Sequence, residues 1–298
     1  MFICRKNSII TTEALQESEL IQNVDGSIYH LSLLPEDIAP LIITVGDPNR
    51  VNSVSKHFDE IEVKKSNREF NTHTGIIGNQ RITCISTGIG TDNIDIVLNE
   101  LDALVNIDLA TRTIKTDHTS LQIVRLGTSG SINKNITVGD IVFSKIAIGL
   151  EGLFSWYHEI PSTELEKGWM DIVQKAEIPV KASVFEADQS LCATVKNHFT
   201  EGVTLTTAGF YGPQSRTLRL KPKLDLQRVV QDLRLKNQSI TNIEMETAGI
   251  YGLSKLLGHQ AISINAIMAN RLTGKFANNP MELMDRTITK SLEILCDL

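Results

Sequence analysis

LQIVRLGTSGSINKNITVGD, residues 121–140, is the stretch from which the rest of this chain can be interpreted. Its apolar opening, 121–124, is typical of a buried strand. Arg125 stands at the expected strand end, and a small, hydroxyl-rich loop with Gly127 and Gly130 follows it. Glycines let backbone N–H groups approach a ligand closely, and a guanidinium adds charge and a fork of donors. The stretch alone is equally compatible with an anion-binding loop and with a simple turn.

The composition favours a globular protein over a disordered or nucleic-acid-binding one. Of 298 residues, 41% are hydrophobic and 21% are charged, which provides enough apolar material for a large buried core. The formal net charge of −6 argues against a nucleic-acid partner, although it leaves room for a local basic pocket. At this length the chain can form one large α/β domain or two ordinary ones.

Cysteine usage and hydropathy indicate a reducing setting away from membranes. The four cysteines are Cys4, Cys84, Cys192 and Cys296. They are scattered, with no C-x-x-C pair and no histidine at metal-ligand spacing, so we expect free thiols and no metal. The N-terminal residues contain no apolar segment of signal-peptide length, and no run of 18 apolar residues occurs. These observations favour a cytoplasmic protein with no membrane partner.

Alternating strand and helix patterns predict a single α/β domain. Buried-strand runs occur at 41–45, 121–124, 140–148, 202–208 and 261–268, and a Gly78-Asn79 turn joins 71–77 to 81–86 as a hairpin. Helical patterns occur at 51–58, 92–105, 163–174, 189–200, 248–257 and 281–295. No linker divides them. We expect a three-layer α/β/α fold, with a central mixed sheet flanked by helices, over residues 29–298, and an N-terminal extension over 1–28.

Polar side chains follow several of these strands, where ligand sites of α/β sheets lie. Gly46 and Arg50 follow 41–45 and precede a short helix, an arrangement that suits an anion. Gln214 and Arg216 follow 202–208. Glutamine offers a donor and an acceptor and arginine only donors, so the pair can read the imide edge of a pyrimidine. Taken alone, each segment is also typical of an ordinary polar turn.

The acidic segment Glu244-Met245-Glu246 precedes the helix at 248–257. At a strand end or helix entry both carboxylates can face one ligand, and carboxylates accept hydrogen bonds from the adjacent hydroxyls of a cis-diol. The segment is therefore a candidate grip for a sugar. A simpler interpretation is that Glu246 stabilises the N-terminus of the helix through its dipole. Arg271 ends the last strand, and the polar loop 272–279 is a candidate lid.

In combination, these segments resemble the nucleoside phosphorylase family, and within it the uridine phosphorylase branch, from about residue 29 to about 295. The matching stretches, in chain order, are YHLSL, GDPNRV, NREF, STGIG, RLGTSGSI followed by VGD, FYGPQSR, NIEMETA and the NR of IMANR. The resemblance implies a phosphorylase-like form of the predicted fold, inorganic phosphate as co-substrate and no cofactor. It also implies a homo-oligomer with a dimer as the minimal active unit, and leaves a hexamer open.

The resemblance implies a role for individual residues. Phosphate would be bound by Gly46, Arg50, Arg125 and Thr128, with Arg68 supplied by a neighbouring subunit. Ribose would be bound by Glu244, Met245 and Glu246, with His30 of the neighbour at its 5′-hydroxyl. The base would be bound by Phe210, Gln214, Arg216 and Arg271. Arg125, Arg216 and Glu246 would be the catalytic residues among them.

The chain departs from the family pattern at three places. Asn93 stands where relatives often have a serine near a monovalent cation, so the departure leaves a cation site beside Glu69 open. Gly212-Pro213 reverses the more usual Pro-Gly order before the glutamine. The segment 108–120 is longer and more polar than in compact bacterial members.

The expected activity is reversible phosphorolysis of uridine to uracil and ribose 1-phosphate, in pyrimidine nucleoside salvage. Two alternatives within enzymes are a purine nucleoside phosphorylase and a nucleosidase of the same fold. Ala269-Asn270-Arg271 stands where purine members typically place an aspartate, which argues against both. A non-catalytic nucleoside-binding protein is the alternative of another class. Preference for 2′-deoxyribose or for thymine is left open.

Overall fold

The computed structural model describes residues 13–158 and 161–296 of the chain. The predictions made for residues 1–12, among them the thiol of Cys4 and the first part of the N-terminal extension, lie outside these ranges. Within them, no helix is long and apolar enough to cross a membrane.

The described residues form seven α-helices. They are α1 Pro48–Ser55, α2 Thr91–Asn106, α3 Glu164–Lys175, α4 Gln189–Val195, α5 Leu226–Val230, α6 Thr247–Leu257 and α7 Pro280–Leu295. Short 3₁₀ turns occur at Pro35–Asp37, Leu153–Ser155 and Gly212–Gln214. All six predicted helices are present. The helix expected at 189–200 is shorter than predicted, and the helix expected at 51–58 begins earlier because Asp47 caps it and Pro48 fits its first turn.

The strands within the same ranges are β1 Leu41–Val45, β2 Glu60–Asn67, β3 Phe70–Ile77, β4 Gln80–Ser86, β5 Ile107–Asp108, β6 Thr113–Ile114, β7 Gln122–Ser131, β8 Ile141–Leu150, β9 Ser183–Glu186, β10 Thr200–Thr207, β11 Arg234–Leu235, β12 Gln238–Glu244, β13 Gln260–Asn270 and β14 Lys275–Phe276. The predicted hairpin is β3 and β4, joined through Gly78 at a φ of +56°. That positive φ explains the glycine at the turn.

A twelve-stranded mixed sheet forms the centre of the molecule. Its strands are ordered β11-β12-β10-β8-β13-β7-β1-β4-β3-β2, with β9 beside β8 and β14 beside β13. Helices α1 and α7 pack together and against the sheet, and α2 and α6 form a second group packed on β8, β10 and β13. The predicted mixed sheet between helices is confirmed.

One part of the sheet closes on itself. Strand β12 pairs with β10 and also, antiparallel, with β7, where Asn242 lies opposite Ser131 and Ile243 opposite Gly130. Strands β7, β13, β8, β10 and β12 therefore form a small closed barrel. The interior of a barrel this small is filled by side chains. Here many of those side chains are polar, including Ser144, Thr204 and Asn265, each 0% exposed.

The loop predicted after Arg125 is wrong. Residues 122–131 form one continuous strand, β7, so Arg125 lies within the strand and Gly127, Thr128 and Gly130 continue it. Glycine is a poor strand former, so two glycines in this stretch favour a turn or an anion-binding loop over a strand. In the structure β7 is paired with β13 along its length, and β1 and β12 also pair with it. Partners on both sides therefore override the local preference.

Strands β2, β9 and β12 were also missed. β2 alternates exposed and half-buried residues, EIEVKKSN, and its lysines suit an edge strand. β12 ends at Glu244, so the acidic segment does lie at a strand end and helix entry, as one interpretation required.

The long polar segment 108–120 and residues 15–28 pack against each other. The side chain of Arg112, from the long polar segment between α2 and β7, donates to the carbonyl of Leu15 at 3.0 Å and to Gln22 at 2.6 Å. Leu20 and Ile28 enter the main hydrophobic core. The polar segment therefore fastens residues 15–28 onto the domain.

Candidate active site

Ten of the thirteen predicted site residues line one cavity of about 760 Å³ at the mouth of the closed barrel. They are Gly46, Arg50, Arg125, Thr128, Phe210, Gln214, Arg216, Glu244, Met245 and Glu246. The residues come from β7, α1, β12 and the loops after β1, β10 and β12. The structure thus brings together segments separated by up to 200 positions, in a volume suited to a ligand of nucleoside size.

One end of the cavity holds two arginines. Arg50, in the first turn of α1, donates through Nη1 to the carbonyl of Leu126 on β7 at 3.3 Å. Burial and the nearby charge of Arg125 lower the pKa of Arg50. Two guanidinium groups that are partly desolvated and repel each other form a favourable place for an anion.

Arg125 is anchored by acceptors on both terminal nitrogens. Its Nη2 lies 2.5 Å from Oε2 of Glu246 and 3.1 Å from Oε2 of Glu244. Its Nη1 donates to Oδ1 of Asn265 at 2.8 Å. Burial opposes the charge of Arg125, but the two carboxylates outweigh that effect and raise its pKa. Arg125 is therefore a permanently charged group held in one place.

Gly127 makes this position of Arg125 possible. A Cβ atom at Gly127 would lie 1.9 Å from Nη1 of Arg125, which is far closer than atoms can approach. The guanidinium thus occupies the space where a side chain would stand. By contrast, a Cβ at Gly130 would make ordinary contacts, 3.6 Å from Cδ of Arg271. The second glycine has no such steric requirement.

The two carboxylates next to the arginines are fixed by backbone amides. Glu244 accepts from the N–H groups of Glu246 and Thr247 at the start of α6, both at 2.9 Å, and from the hydroxyl of Thr206 at 2.6 Å. Glu246 accepts from the N–H of Gly90, at the start of α2, at 2.8 Å. Burial raises the pKa of Glu246, with Arg125 acting in the opposite direction. Glu244, rather than Glu246, caps α6.

The other end of the cavity contains the aromatic and amide groups expected at a base. The guanidinium of Arg216 lies 3.6 Å from the ring centroid of Phe210 and donates to its carbonyl at 2.7 Å. Arg216 also donates to Oε1 of Gln214. Burial and the charge of Arg271 lower the pKa of Arg216 to about 10. These groups therefore satisfy one another in the structure.

Three predicted residues lie outside the cavity lining. Arg271 donates to the carbonyl of Gln214 and so supports the base end from behind. His30 and Arg68 lie on a separate surface. His30 pairs through Nδ1 with Glu100 at 2.5 Å, and the guanidinium of Arg68 lies 5.8 Å from the ring centroid of neighbouring Tyr29.

Sequence reasoning missed several lining residues. Gly90 does not line the cavity itself, but its N–H binds Glu246, which does. Glu69 and Asn93 line the arginine end, where the Asn93 amide donates to Glu69 at 3.2 Å. Phe276, on β14, lines the cavity from the candidate lid and is 64% exposed. The signals for these residues are the stretches NREF and STGIG and the position of the loop 272–279.

A buried carboxyl group lies close to Glu244. Glu151 follows β8, whose last residue pairs with Thr207 just before the base loop. Both of its carboxylate oxygens are buried without a hydrogen-bond partner. Burial first, and then the charge of Glu244, raise the pKa of Glu151 to about 7. Glu151 does not line the cavity.

Near the C-terminal end of α6, two histidines and an aspartate lie close together. Among the described residues they are the one group that could hold a metal ion: Asp102, His118 and His259. Nδ1 of His259 accepts from the N–H of Leu121 at 3.2 Å, which places the ring proton on Nε2, 3.3 Å from Asp102. His118 binds the carbonyl of Leu257 at 2.8 Å, at the end of α6. Nε2 of His259 is buried and makes no hydrogen bond, although Asp102 lies within ion-pair distance of it.

Comparison with known proteins identifies the family and agrees with the fold. Residues 40–298 match the family described as the phosphorylase superfamily. A uridine phosphorylase of Thermococcus kodakarensis is 30% identical over 291 residues, which cover 96% of this chain and 92% of the relative. A uridine phosphorylase of Haemophilus influenzae is 29% identical over 263 residues, 85% of this chain and 90% of the relative.

A solved structure shows the same similarity in three dimensions. The crystal structure of a Trypanosoma brucei nucleoside phosphorylase, described as showing uridine phosphorylase activity, matches with a TM-score of 0.84. It is 28% identical, and the match covers 94% of this chain and all of that one. The chain belongs to the phosphorylase superfamily.

Proposed function

We propose that this protein is a uridine phosphorylase, a pentosyltransferase that reversibly converts uridine and phosphate to uracil and ribose 1-phosphate. The observation that carries the proposal is the order of groups along one cavity. Two arginines lie at one end, two carboxylates beside them, and a phenylalanine, glutamine and arginine at the other. In the same order along the cavity, those groups suit a phosphate, a ribose diol and a uracil.

The proposed reaction needs no covalent intermediate. Phosphate held by Arg50 and Arg125 attacks the anomeric carbon directly, with inversion, as the glycosidic bond breaks. The arginines place the nucleophile, whose charge also stabilises the developing positive charge on the sugar. Glu244 and Glu246 orient the diol. Arg216 donates to a uracil carbonyl and stabilises the departing base as an anion. The co-substrate is inorganic phosphate, and no cofactor enters the scheme.

The positions of His30 and Arg68 support a dimer as the minimal active unit. They lie together, outside the cavity of their own chain, but Glu69, next to Arg68, lines that cavity. In a two-fold symmetric pair, a surface beside one cavity can reach the partner's cavity. Sizing the protein and assaying each peak tests this. An active monomer would contradict it.

Base specificity is supported by Asn270. Its Nδ2 donates to the carbonyl of Ile136 at 2.8 Å, and its Oδ1 accepts from the N–H groups of Leu272 and Thr273, both at 3.0 Å. Asn270 is thus committed to holding the backbone, and it offers no acid to protonate a purine.

A cytoplasmic setting is also part of the proposal. It is supported by Cys84 and Cys192, which form no disulfide.

A base-release assay tests the function. The protein is incubated with uridine, thymidine or inosine, with and without phosphate, and free base is measured. We expect uracil from uridine only when phosphate is present. Phosphate-independent release would indicate a nucleosidase, and activity on inosine but not uridine a purine phosphorylase. Binding of uridine with no turnover would indicate a nucleoside-binding protein.

A further inference from the structure

A ring of buried polar side chains fills the closed barrel beneath the cavity. It begins at Arg125 on β7, passes through the neighbouring strands and returns to β7. Its members, in order, are Arg125, Asn265, Ser144, Thr204, Asn242 and Ser129. Successive members are joined by hydrogen bonds of 2.5 to 3.0 Å. Every strand of the barrel contributes at least one residue.

Asn265 joins this ring to Arg125, and its orientation is determined by its partners. Its Oδ1 accepts from Nη1 of Arg125 at 2.8 Å, and since arginine only donates, the amide oxygen must face it. Its Nδ2 donates to the hydroxyls of Ser144 at 3.0 Å and Ser263 at 3.2 Å. Asn265 is 0% exposed. Its side chain is therefore fixed by the barrel and cannot turn away from Arg125.

The two terminal nitrogens of Arg125 have different kinds of partner. Nη2 is attracted by the carboxylates of Glu244 and Glu246, while Nη1 is held by Asn265 and, at 3.4 Å, by Ser263. If Asn265 is removed, the carboxylates are the only strong attraction left. The guanidinium is then free to pivot about its contacts with them, and one buried donor, Nη1, is left without its best acceptor.

We propose that Asn265 is a positioning residue that sets the affinity of the site for phosphate by holding the guanidinium of Arg125 against the pull of the two carboxylates. The inference rests on the proposed function. Asn265 does not line the cavity and acts only through Arg125. The ribose grip has separate anchors, since Glu244 and Glu246 are held by Thr206 and by backbone amides. The effect should therefore fall on phosphate and spare uridine.

Two variants remove the contact. Asn265→Ala removes the whole amide. Asn265→Ser keeps a hydroxyl for the neighbouring serines, but its oxygen lies roughly one C–C bond, about 1.5 Å, further from Arg125. The matched control is Asn106→Ala. Asn106 is also buried and also bonds through both ends of its amide, to Asp102 and to the backbone of Thr119. It lies at the far end of α2 from the cavity.

The experiment measures initial rates over a matrix of phosphate and uridine concentrations. It also measures the rise in Tm that phosphate produces in each protein. For both Asn265 variants we expect about a tenfold increase in KM for phosphate, a KM for uridine within about threefold of wild type, and a smaller phosphate-induced rise in Tm. For Asn106→Ala we expect a lower Tm with both KM values unchanged.

Each other outcome overturns something specific. An unchanged KM for phosphate in Asn265→Ala or Asn265→Ser, or an equal rise in both KM values, overturns the inference. If the wild type releases no uracil, the proposed function fails, but the phosphate-induced rise in Tm still tests Asn265. If phosphate stabilises the wild type and the Asn265 variants equally, or stabilises none of them, the inference is overturned as well.

Discussion

Arginines serve both ends of the cavity, two lining the phosphate end and Arg216 with Arg271 behind it at the base end, but their surroundings differ. Arg125 lies within a central strand, is 6% exposed, and has a pKa raised by two carboxylates. Arg216 and Arg271 lie on loops, are about half buried, and have pKa values lowered by burial, that of Arg216 to about 10. Arg125 is compensated by buried opposite charge, while Arg216 and Arg271 are satisfied by carbonyls, an amide and a ring.

The difference corresponds to what each end would hold. Phosphate carries charge before and after the proposed reaction, so a fixed and fully charged site costs little reorganisation. A uracil becomes charged only as its bond breaks. Arg216 can leave Phe210 and Gln214 and move to the base when that charge develops, because its present contacts are neutral. In the proposed reaction, the rigid end binds phosphate, and the adaptable end stabilises the charge that develops on the base.

The largest expected effect comes from removing the rigid charge. Arg125→Ala leaves two buried carboxylates without their cation, so we expect kcat/KM to fall by about a thousandfold or more and the free energy of unfolding by about 3–5 kcal/mol. Steady-state rates and urea unfolding measure both. Lys175→Ala, which breaks an exposed pair with Asp171, serves as a control and should cost at most about 0.5 kcal/mol. Equal losses would show that Arg125 behaves as a surface charge.

Glu151 also tests the cost of burying a charge without a partner, because its carboxyl group is buried and makes no hydrogen bond. Its pKa is about 7 in the folded protein against 4.5 for an unperturbed carboxyl, so between these values the folded state binds more protons. Stability should therefore fall as pH rises from 4.5 to 7. As pH rises from 4.5 to 8, we expect the free energy of unfolding of Glu151→Gln to increase relative to that of the wild type by roughly 3 kcal/mol. Urea unfolding across pH measures this, with the exposed Glu177→Gln as control. A pH-independent difference would mean that Glu151 is not buried as a neutral acid.

Two glycines of β7 allow the two ends of the cavity to be compared, because replacing either by alanine adds one methyl group at one end. Gly127→Ala places a Cβ where Nη1 of Arg125 lies, so the guanidinium must move and kcat/KM should fall about a hundredfold. The phosphate KM should rise with it. Gly130→Ala meets Arg271 at an ordinary distance and should change kcat/KM by less than about threefold. Steady-state kinetics of both variants decide the matter, and similar losses would refute a difference between the ends.

The adaptable end should show the smallest effect. Arg216→Ala removes one charged hydrogen bond to the departing base, so kcat/KM should fall at least tenfold, about 1.4 kcal/mol, with little change in stability. Arg219→Ala, an exposed arginine of the same segment, is the control. An unchanged rate in Arg216→Ala would place recognition of the base elsewhere.

Sequence patterns predicted the helices and most of the buried strands, because their apolar spacing is decided locally. They failed where tertiary pairing overrides local preference. The stretch RLGTSG reads as a loop, and only its pairing with β13, β1 and β12 makes it a strand. The closure of the barrel had no local signal.

For the site, the residue types that bind a ligand were predictable, but their supports were not. Arg125 and the acidic segment stand out in the sequence as charges beside strand ends. Asn265, within the apolar run AISINAIM, looks like an ordinary core position with one misfit. Gly90 acts through its backbone, which carries no residue-specific signal. Distance in space, not type of residue, defines these roles.

Closure of the barrel has a consequence for the order of folding. The β7–β12 pairing joins residues more than 100 positions apart, and such pairings form slowly because a long loop must first be closed. The carboxylates that compensate Arg125 end β12 or follow it. Until β12 docks, the emerging chain has a cationic strand with no counter-charge. A growing chain therefore acquires a compensated ligand site only after β12 has docked.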